Sequence, residues 1–133
     1  MRSRLISPAL RSPNWERAEG RCEYCGLHEG NSLVPQQPDH IVAVQHGGET
    51  NLENLALSCD CNLLKGPNLA SIDPKTGGRE FLFNPRKDRW FDHFRVEGGF
   101  ISGLTPIGRA TAFLLQFNNS DRVRLRLVLD RIR

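Results

Sequence analysis

The sequence predicts an α+β fold: a small ββα unit, entered by a short N-terminal helix and continued by a mixed strand and helical extension. Three observations predict it. Two tight cysteine pairs, Cys22-x-x-Cys25 and Cys59-x-Cys61, bracket the central stretch. Between them Pro38 precedes the β-branched Ile41, Val42 and Val44, which favour an extended strand. Asn54-Leu55-Ala56-Leu57-Ser58 reads as a returning strand, and Asp60 to Lys65 opens a helix that Gly66-Pro67 stops.

A chain of 133 residues suits one domain, here read as 1–133. Within it we expect an arm and short helix over 1–20, the core over 21–68 and the extension over 69–133. No apolar run is long enough to span a bilayer, and Pro8 interrupts the only apolar patch near the start. We therefore expect a cytoplasmic protein with no membrane partner. A net charge of +3 permits nucleic-acid binding without arguing for it.

The elements follow in order. Ser12 and Pro13 suit the N-cap and first position of a helix through Trp15 and Ala18, ended by Gly20. That helix would pack Trp15 against the first cysteine turn, which Gly26 closes. Gly47-Gly48 breaks the first strand. Thr50-Asn51-Leu52-Glu53 matches a capping box and predicts one helical turn. Pro74 to Gly78 reads as a turn before a short strand, Glu80 to Phe83. Trp90, Phe91 and Phe94 share a helical face, and Arg95 to Ile101 reads as a hairpin around Gly98-Gly99. Thr105 and Pro106 open a helix with Ile107, Ala110, Phe113, Leu114 and Phe117 on one side. Ser120 caps a last helix bearing Leu125, Val128, Leu129 and Ile132, although Val123, Leu125, Leu127 and Leu129 also alternate as a strand would.

Four cysteines could form two disulfides, a redox pair, free thiols or one metal site. Neighbours this close remove little chain entropy when bridged. Two tight pairs, 34 positions apart from Cys25 to Cys59, favour a tetrahedral zinc ion. His28 is an alternative ligand and Asp60 a spare oxygen donor, because the second pair is so short.

Asp39-His40 offers a hard anionic oxygen for a divalent cation beside a base that titrates near neutrality. Such a pair suits water attack on phosphorus with a metal at the departing oxygen. Asn62, behind a cysteine in the first helical turn, could supply a second metal ligand. Asn54 suits a role in tying the loop by backbone hydrogen bonds or in orienting His40. Lys65, His46, Arg86 and Lys87 are candidate phosphate or substrate contacts.

The run CEYC…DHIVAVQHGG…NLENLALSCDCNLLKG resembles the HNH endonuclease family in its zinc-clamped ββα-metal form, the HNH/His-Me finger. The likeness covers about residues 20–68. The stretches GPNLASIDPKTGGREFLFNPRKDRWFDHF and TPIGRAT resemble a bacterial subgroup of that family. The resemblance implies that His40 is the general base and that Asp39 and Asn62 hold a catalytic divalent ion, Mg²⁺ or another. It implies that Asn54 supports the loop, that Cys22, Cys25, Cys59 and Cys61 hold a structural Zn²⁺, and that the substrate is DNA. The family's second pair is usually C-x-x-C, so the shorter Cys59-Asp60-Cys61 predicts a turn of Asn62 by ~100° about the helix relative to Cys59. Two rivals stand beside this reading. One is a non-catalytic zinc-ribbon module that binds nucleic acid or protein; the other is a dithiol redox protein using Cys22 and Cys25. No protein partner is inferable from the sequence.

Overall fold

The computed structural model describes residues 6–33 and 35–131. Residues 1–5 of the expected arm and Ile132, expected on the apolar face of the last helix, lie outside these. The chain divides into two compact units. One comprises Met1–Asn68 with Asn84–Lys87, the other Leu69–Phe83 with Asp88–Arg133.

The first unit opens with α1, Pro8–Ala18. It starts earlier than expected, at Ser7-Pro8, a second Ser-Pro pair of the same helix-opening type. Pro13 therefore sits inside the helix and contributes no N–H to it. The helix turns the fully buried Asn14 inward, whereas Trp15 is 40% exposed. The Trp15 ring instead covers Gly20, where a Cβ would stand 2.7 Å from Cζ2, and its indole N–H donates to Glu29 at 3.3 Å. Arg17 fastens the helix by donating to the carbonyls of Leu52 (2.8 Å) and Leu55 (2.7 Å).

Strand β1, Gln37–His40, pairs antiparallel with β2, Leu55–Ser58, setting Pro38 against Leu57, Asp39 against Ala56 and His40 against Leu55. The strand thus ends at His40 rather than running through Ile41 to Val44. Val44–His46 form a 3-10 turn. Another 3-10 turn, Leu52–Asn54, precedes β2; Asn51, one residue past the expected cap, accepts from the Asn54 amide. Helix α2, Cys61–Lys65, follows directly and stops at Gly66. The ββα order is as expected. All four β2 residues are buried, with Tyr24, Ile41 and the cysteines around them.

In the second unit β3, Ala70–Ile72, pairs with β4, Arg79–Phe81. The sequence reading missed β3, a strand of three residues. Helix α3 is one turn, Trp90–His93, and Phe94 begins β5, Phe94–Glu97, which pairs with β6, Phe100–Gly103. Helices α4, Pro106–Leu114, and α5, Ser120–Arg131, complete the unit. Thr105 caps α4 as expected, accepting from Gly108 N. Asn119, not Ser120, caps α5, accepting from the Arg122 amide at 2.9 Å. Phe83, Phe94 and Phe117 form a buried aromatic row with 5.5 Å between successive centroids. Phe113, expected in that core, is 61% exposed. Thr111 faces inward instead, because its hydroxyl bonds both Ile107 O and Phe83 N at 2.8 Å.

The turn before β4 is held by one carboxylate. Asp73 accepts from Lys75 N (2.9 Å), Thr76 Oγ1 (3.1 Å) and, in a two-pronged pair, Arg109 Nε (3.0 Å) and Nη2 (2.8 Å). That guanidinium holds the Asp73 carboxyl well below the usual range, against an opposing desolvation.

Candidate active site

Four cysteines gather beside α2, the helix that carries Cys61 and Asn62. Cys22 and Cys25 sit in a turn closed by Gly26 N donating to Cys22 O at 2.8 Å. That turn is sewn to β2 by Glu23. Its amide donates to Leu57 O and its carboxylate accepts from Leu57 N, both at 2.8 Å. Glu23 thus takes both backbone groups of Leu57, the residue opposite Pro38 of β1. Arg86 pairs with the same Glu23 carboxylate.

All four sulfurs are buried and lie within 4.8 Å of one another, and the four cysteines are not bridged. Cys25–Cys59 and Cys59–Cys61 sulfurs stand 3.5 Å apart. That is well beyond a disulfide bond of roughly 2.0 Å and near the ~3.8 Å edge of a tetrahedron with zinc–sulfur bonds of ~2.3 Å. Amide N–H groups of Cys25 and Cys61 point at the Cys22 and Cys59 sulfurs, each at 3.5 Å. Without a cation the thiols compete. Burial opposes ionisation of Cys22, yet hydrogen bonds from the other three draw it well down, while its sulfur neighbours push Cys25 and Cys61 up. A divalent cation would resolve that competition, so the set fits a metal site. The shortened second pair brings both its sulfurs to the cluster. His28 is not in it; its Nδ1 accepts from Gly30 N at 3.0 Å. Asp60 is not in it either.

Asp39 and His40 end β1, where neighbouring side chains leave on opposite faces. They nevertheless line one cleft of ≈ 230 Å³ together with Asn62, Ala43, Val44, Gln45, Gly66 and Pro67. The Asn62 side-chain amide has no hydrogen-bond partner among the described residues, while its backbone N–H donates to Cys59 O at 3.3 Å. Asp39 Oδ2 is buried and lacks a hydrogen bond of good geometry there; the Lys65 ammonium stands 3.4 Å from it. Burial pushes the Asp39 carboxyl up, and the charge of Lys65 pulls it part of the way back. Tyr24, fully buried, has its phenol pushed up by that burial and by the negative charges of Asp39, Cys22 and Cys61.

Lys65 is only 2% exposed. Its ammonium donates to His40 O at 3.1 Å, so it stitches α2 to β1 inside the unit instead of standing on the surface. Arg86 is likewise part-buried against Glu23, and burial lowers its guanidinium to about 10. His46 and Lys87 are exposed.

Asn54 closes the loop that follows β1. Its Oδ1 accepts from Val42 N (2.9 Å), and its Nδ2 donates to Val42 O (2.9 Å) and Glu49 O (2.8 Å). The loop returns so tightly that a Cβ on Gly48 would stand 1.8 Å from Val42 O. Thr50, on this loop, brings its hydroxyl to 2.8 Å from His40 Nε2. Sequence reasoning missed Thr50 and Glu23, because a threonine before Asn51 looks like a cap and a glutamate in a cysteine turn looks like solvated surface.

A ββα unit with a thiol-clamped helix and an Asp-His pair at the end of its first strand defines a metal-site fold of the HNH kind. Residues 22–68, about a third of the chain, match the model of the HNH endonuclease family. The cysteine cluster is consistent with that family. No curated protein and no solved structure matches the chain. The match implies a nuclease-type or nucleic-acid-binding function. Among the described residues no helix is long and apolar enough to cross a membrane.

Proposed function

We propose that the chain is a metal-dependent endonuclease that hydrolyses DNA phosphodiester bonds. The observation that carries this reading is the meeting of Asp39, His40 and Asn62 in one cleft, although Asn62 lies 22 positions beyond His40. His40 acts as general base: a water O–H bond breaks as its proton passes to the imidazole, the oxygen lone pair forms the bond to phosphorus, and the P–O bond to the departing oxygen breaks with its electron pair on that oxygen. The Asp39 carboxylate and the Asn62 amide oxygen are hard donors and fit a divalent ion such as Mg²⁺. A buried carboxylate oxygen without a good hydrogen bond, beside an unpartnered amide, is the chemistry such an ion needs. Bound there, the ion would supply Lewis-acid stabilisation of the departing oxygen.

The four cysteines hold a structural Zn²⁺ that fixes α2, and with it Asn62, against β1. Asn54 holds the loop. His46 and Lys87, exposed, are the side chains we assign to DNA contact; Lys65 and Arg86 serve the interior of the unit. Metal-bound thiols suit a reducing compartment, and we place the protein in the cytoplasm. The test is His40→Ala. It should abolish divalent-ion-dependent plasmid nicking while zinc content and the melting transition stay as in wild type. Nicking at the wild-type rate would remove the assignment.

A further inference from the structure

We propose that a groove between α1 and β1 seats one unpaired base of a DNA strand, stacked on Trp15 and hydrogen-bonded to Gln36. The proposal rests on the endonuclease reading above and narrows its substrate to DNA with a base out of the duplex stack.

The groove encloses ≈ 380 Å³ and shares no lining residue with the cleft of Asp39 and His40. That volume falls within the roughly 300–1,000 Å³ of small-molecule sites. Pro8, Pro38 and Leu57 give it apolar walls, and Trp15 gives it an aromatic one. The indole is set before anything binds. Its N–H donates to Glu29 Oε1 at 3.3 Å, and the backbone N–H of Gln36 holds the other oxygen of that carboxylate at 3.1 Å. Gly20 leaves room for the ring, since a Cβ there would stand 2.7 Å from Cζ2. A fixed aromatic plane is what base stacking uses, and stacking suits any base.

Gln36 supplies the polar contact. It lines the groove and is only 5% exposed. Its Nε2 donates to Leu27 O at 2.7 Å, which fixes the other end of the amide as the oxygen. That Oε1 is buried and has no hydrogen bond among the described residues. A buried acceptor left unpaired is costly, so the occupant must bring an N–H. Bases carry N–H donors at the edge of a flat ring. The charged lining residues, Arg11 and Glu16, are one of each sign. Their balance favours a neutral ring over a phosphate inside the groove.

Strand β1 links the groove to the candidate site. Pro38 lines the groove, and Asp39, the next residue, lines the cleft. Neighbouring side chains leave a strand on opposite faces. Among the described residues β1 pairs with a strand on one side only. A DNA strand with its phosphate in the cleft and a base in the groove must turn around the other side, which takes that base out of the stack.

The test is a titration of zinc-retaining protein with no other divalent ion, followed by the indole N–H resonances of its two tryptophans, Trp15 and Trp90. Trp15→Phe assigns them. The probes are a ten-base single strand, the same sequence in a blunt duplex, free mononucleotides and a proline-rich decapeptide. The single strand should shift the Trp15 indole and the Gln36 side-chain amide saturably and leave Trp90 in place. The duplex should bind at that signal at least about tenfold more weakly, because a base must first be unstacked. Trp15→Ala, followed at the Gln36 amide, should weaken binding of the single strand about 5- to 160-fold, the span of base–aromatic stacking. Ser12→Leu, at an exposed position lining the groove, should weaken it with the melting transition unchanged, and it decides where the alanine variant does not fold. A single strand that leaves Trp15 unmoved overturns the proposal. So does duplex, mononucleotide or peptide that binds as tightly as the single strand. Saturable shifts at Trp15 in protein that nicks nothing under any divalent ion retire the hydrolase reading and leave the groove assigned. Nicking with Trp15 unmoved does the reverse, so the two fail separately.

Discussion

Asn54→Ala is the perturbation whose size the geometry sets most directly. The side chain makes three hydrogen bonds, at 2.9, 2.9 and 2.8 Å, to both backbone groups of Val42 and to Glu49 O. Net contributions of such bonds are about 0.5–1.5 kcal/mol each. Val42 is only half-buried, so water can take over part of what is lost. We therefore expect the lower half of the range, about 2–3 kcal/mol for the set. The cost should fall on the loop before it falls on the whole unit, because β1 and β2 keep their own ladder and the cysteines keep theirs. The assay is native-state hydrogen exchange at the Val42 amide, which donates to Asn54 Oδ1. Protection there should drop by roughly 30- to 160-fold, while amides of β2 change little. Asn54→Asp should do no better, since a carboxylate keeps the acceptor for Val42 N but faces the carbonyls of Val42 and Glu49 with negative charge. Val42 protection within about threefold of wild type would refute the idea that this asparagine closes the loop.

Two further predictions concern the clamp and the second unit. Cys61→Ser should bring zinc below one ion per chain after dialysis against a mild chelator and lower the first thermal transition, measured by zinc analysis and calorimetry; a full zinc complement would show that the shortened pair is dispensable. Asp73 has a folded carboxyl held low by Arg109, so the folded state binds fewer protons than the unfolded one in acid. The stability from this pair is complete above the ordinary carboxylate range near ~4 and declines as pH falls below it. Asp73→Asn should start less stable and show a flatter fall over that acid window, read from melting curves at successive pH. Parallel curves for the two proteins would rule the pair out as a source of acid sensitivity.

The ββα order and the cysteine cluster were legible because strand, turn and paired-thiol signals are local; that Asp39, His40 and Asn62 line one cleft was suggested by the family resemblance, since Asn62 lies 22 positions beyond His40. What was not legible has physical causes. Ile41, Val42 and Val44 have strand-favouring side chains, yet the strand stops at His40 because the Asn54 amide takes the N–H and C=O of Val42 that a neighbouring strand would have taken. The start of α1 was misplaced because Ser7-Pro8 and Ser12-Pro13 are locally equivalent openings, and packing against β2 rather than propensity chooses between them. Lysine is read as surface from its type alone. Lys65 is buried because Asp39 and two carbonyls meet its ammonium, and those partners are 25 and 26 residues away or at the helix end. Phe113 stands exposed while Thr111 is buried, because a hydroxyl that bonds its own helix and Phe83 N can be buried at little cost.

The same device recurs in both units, past the end of β1 in one and on β6 in the other. Asn118 bonds Ile101 N and Ile101 O at 2.8 Å each, as Asn54 bonds Val42. In each case a side-chain amide supplies the donor and acceptor of a missing neighbour strand. In the first unit this makes the candidate site the product of two independent restraints. The thiol cluster fixes α2 and so Asn62; the Asn54 clasp fixes the loop and so the Thr50 contact to His40. Lys65 is the cross-tie, reaching from α2 to Asp39 and to the His40 carbonyl. Lesions of the two restraints should therefore be separable. Loss of the clasp should disturb His40 with the cysteines still gathered. Loss of one thiol should displace Asn62 while Val42 remains protected by Asn54, until the cross-tie itself gives way.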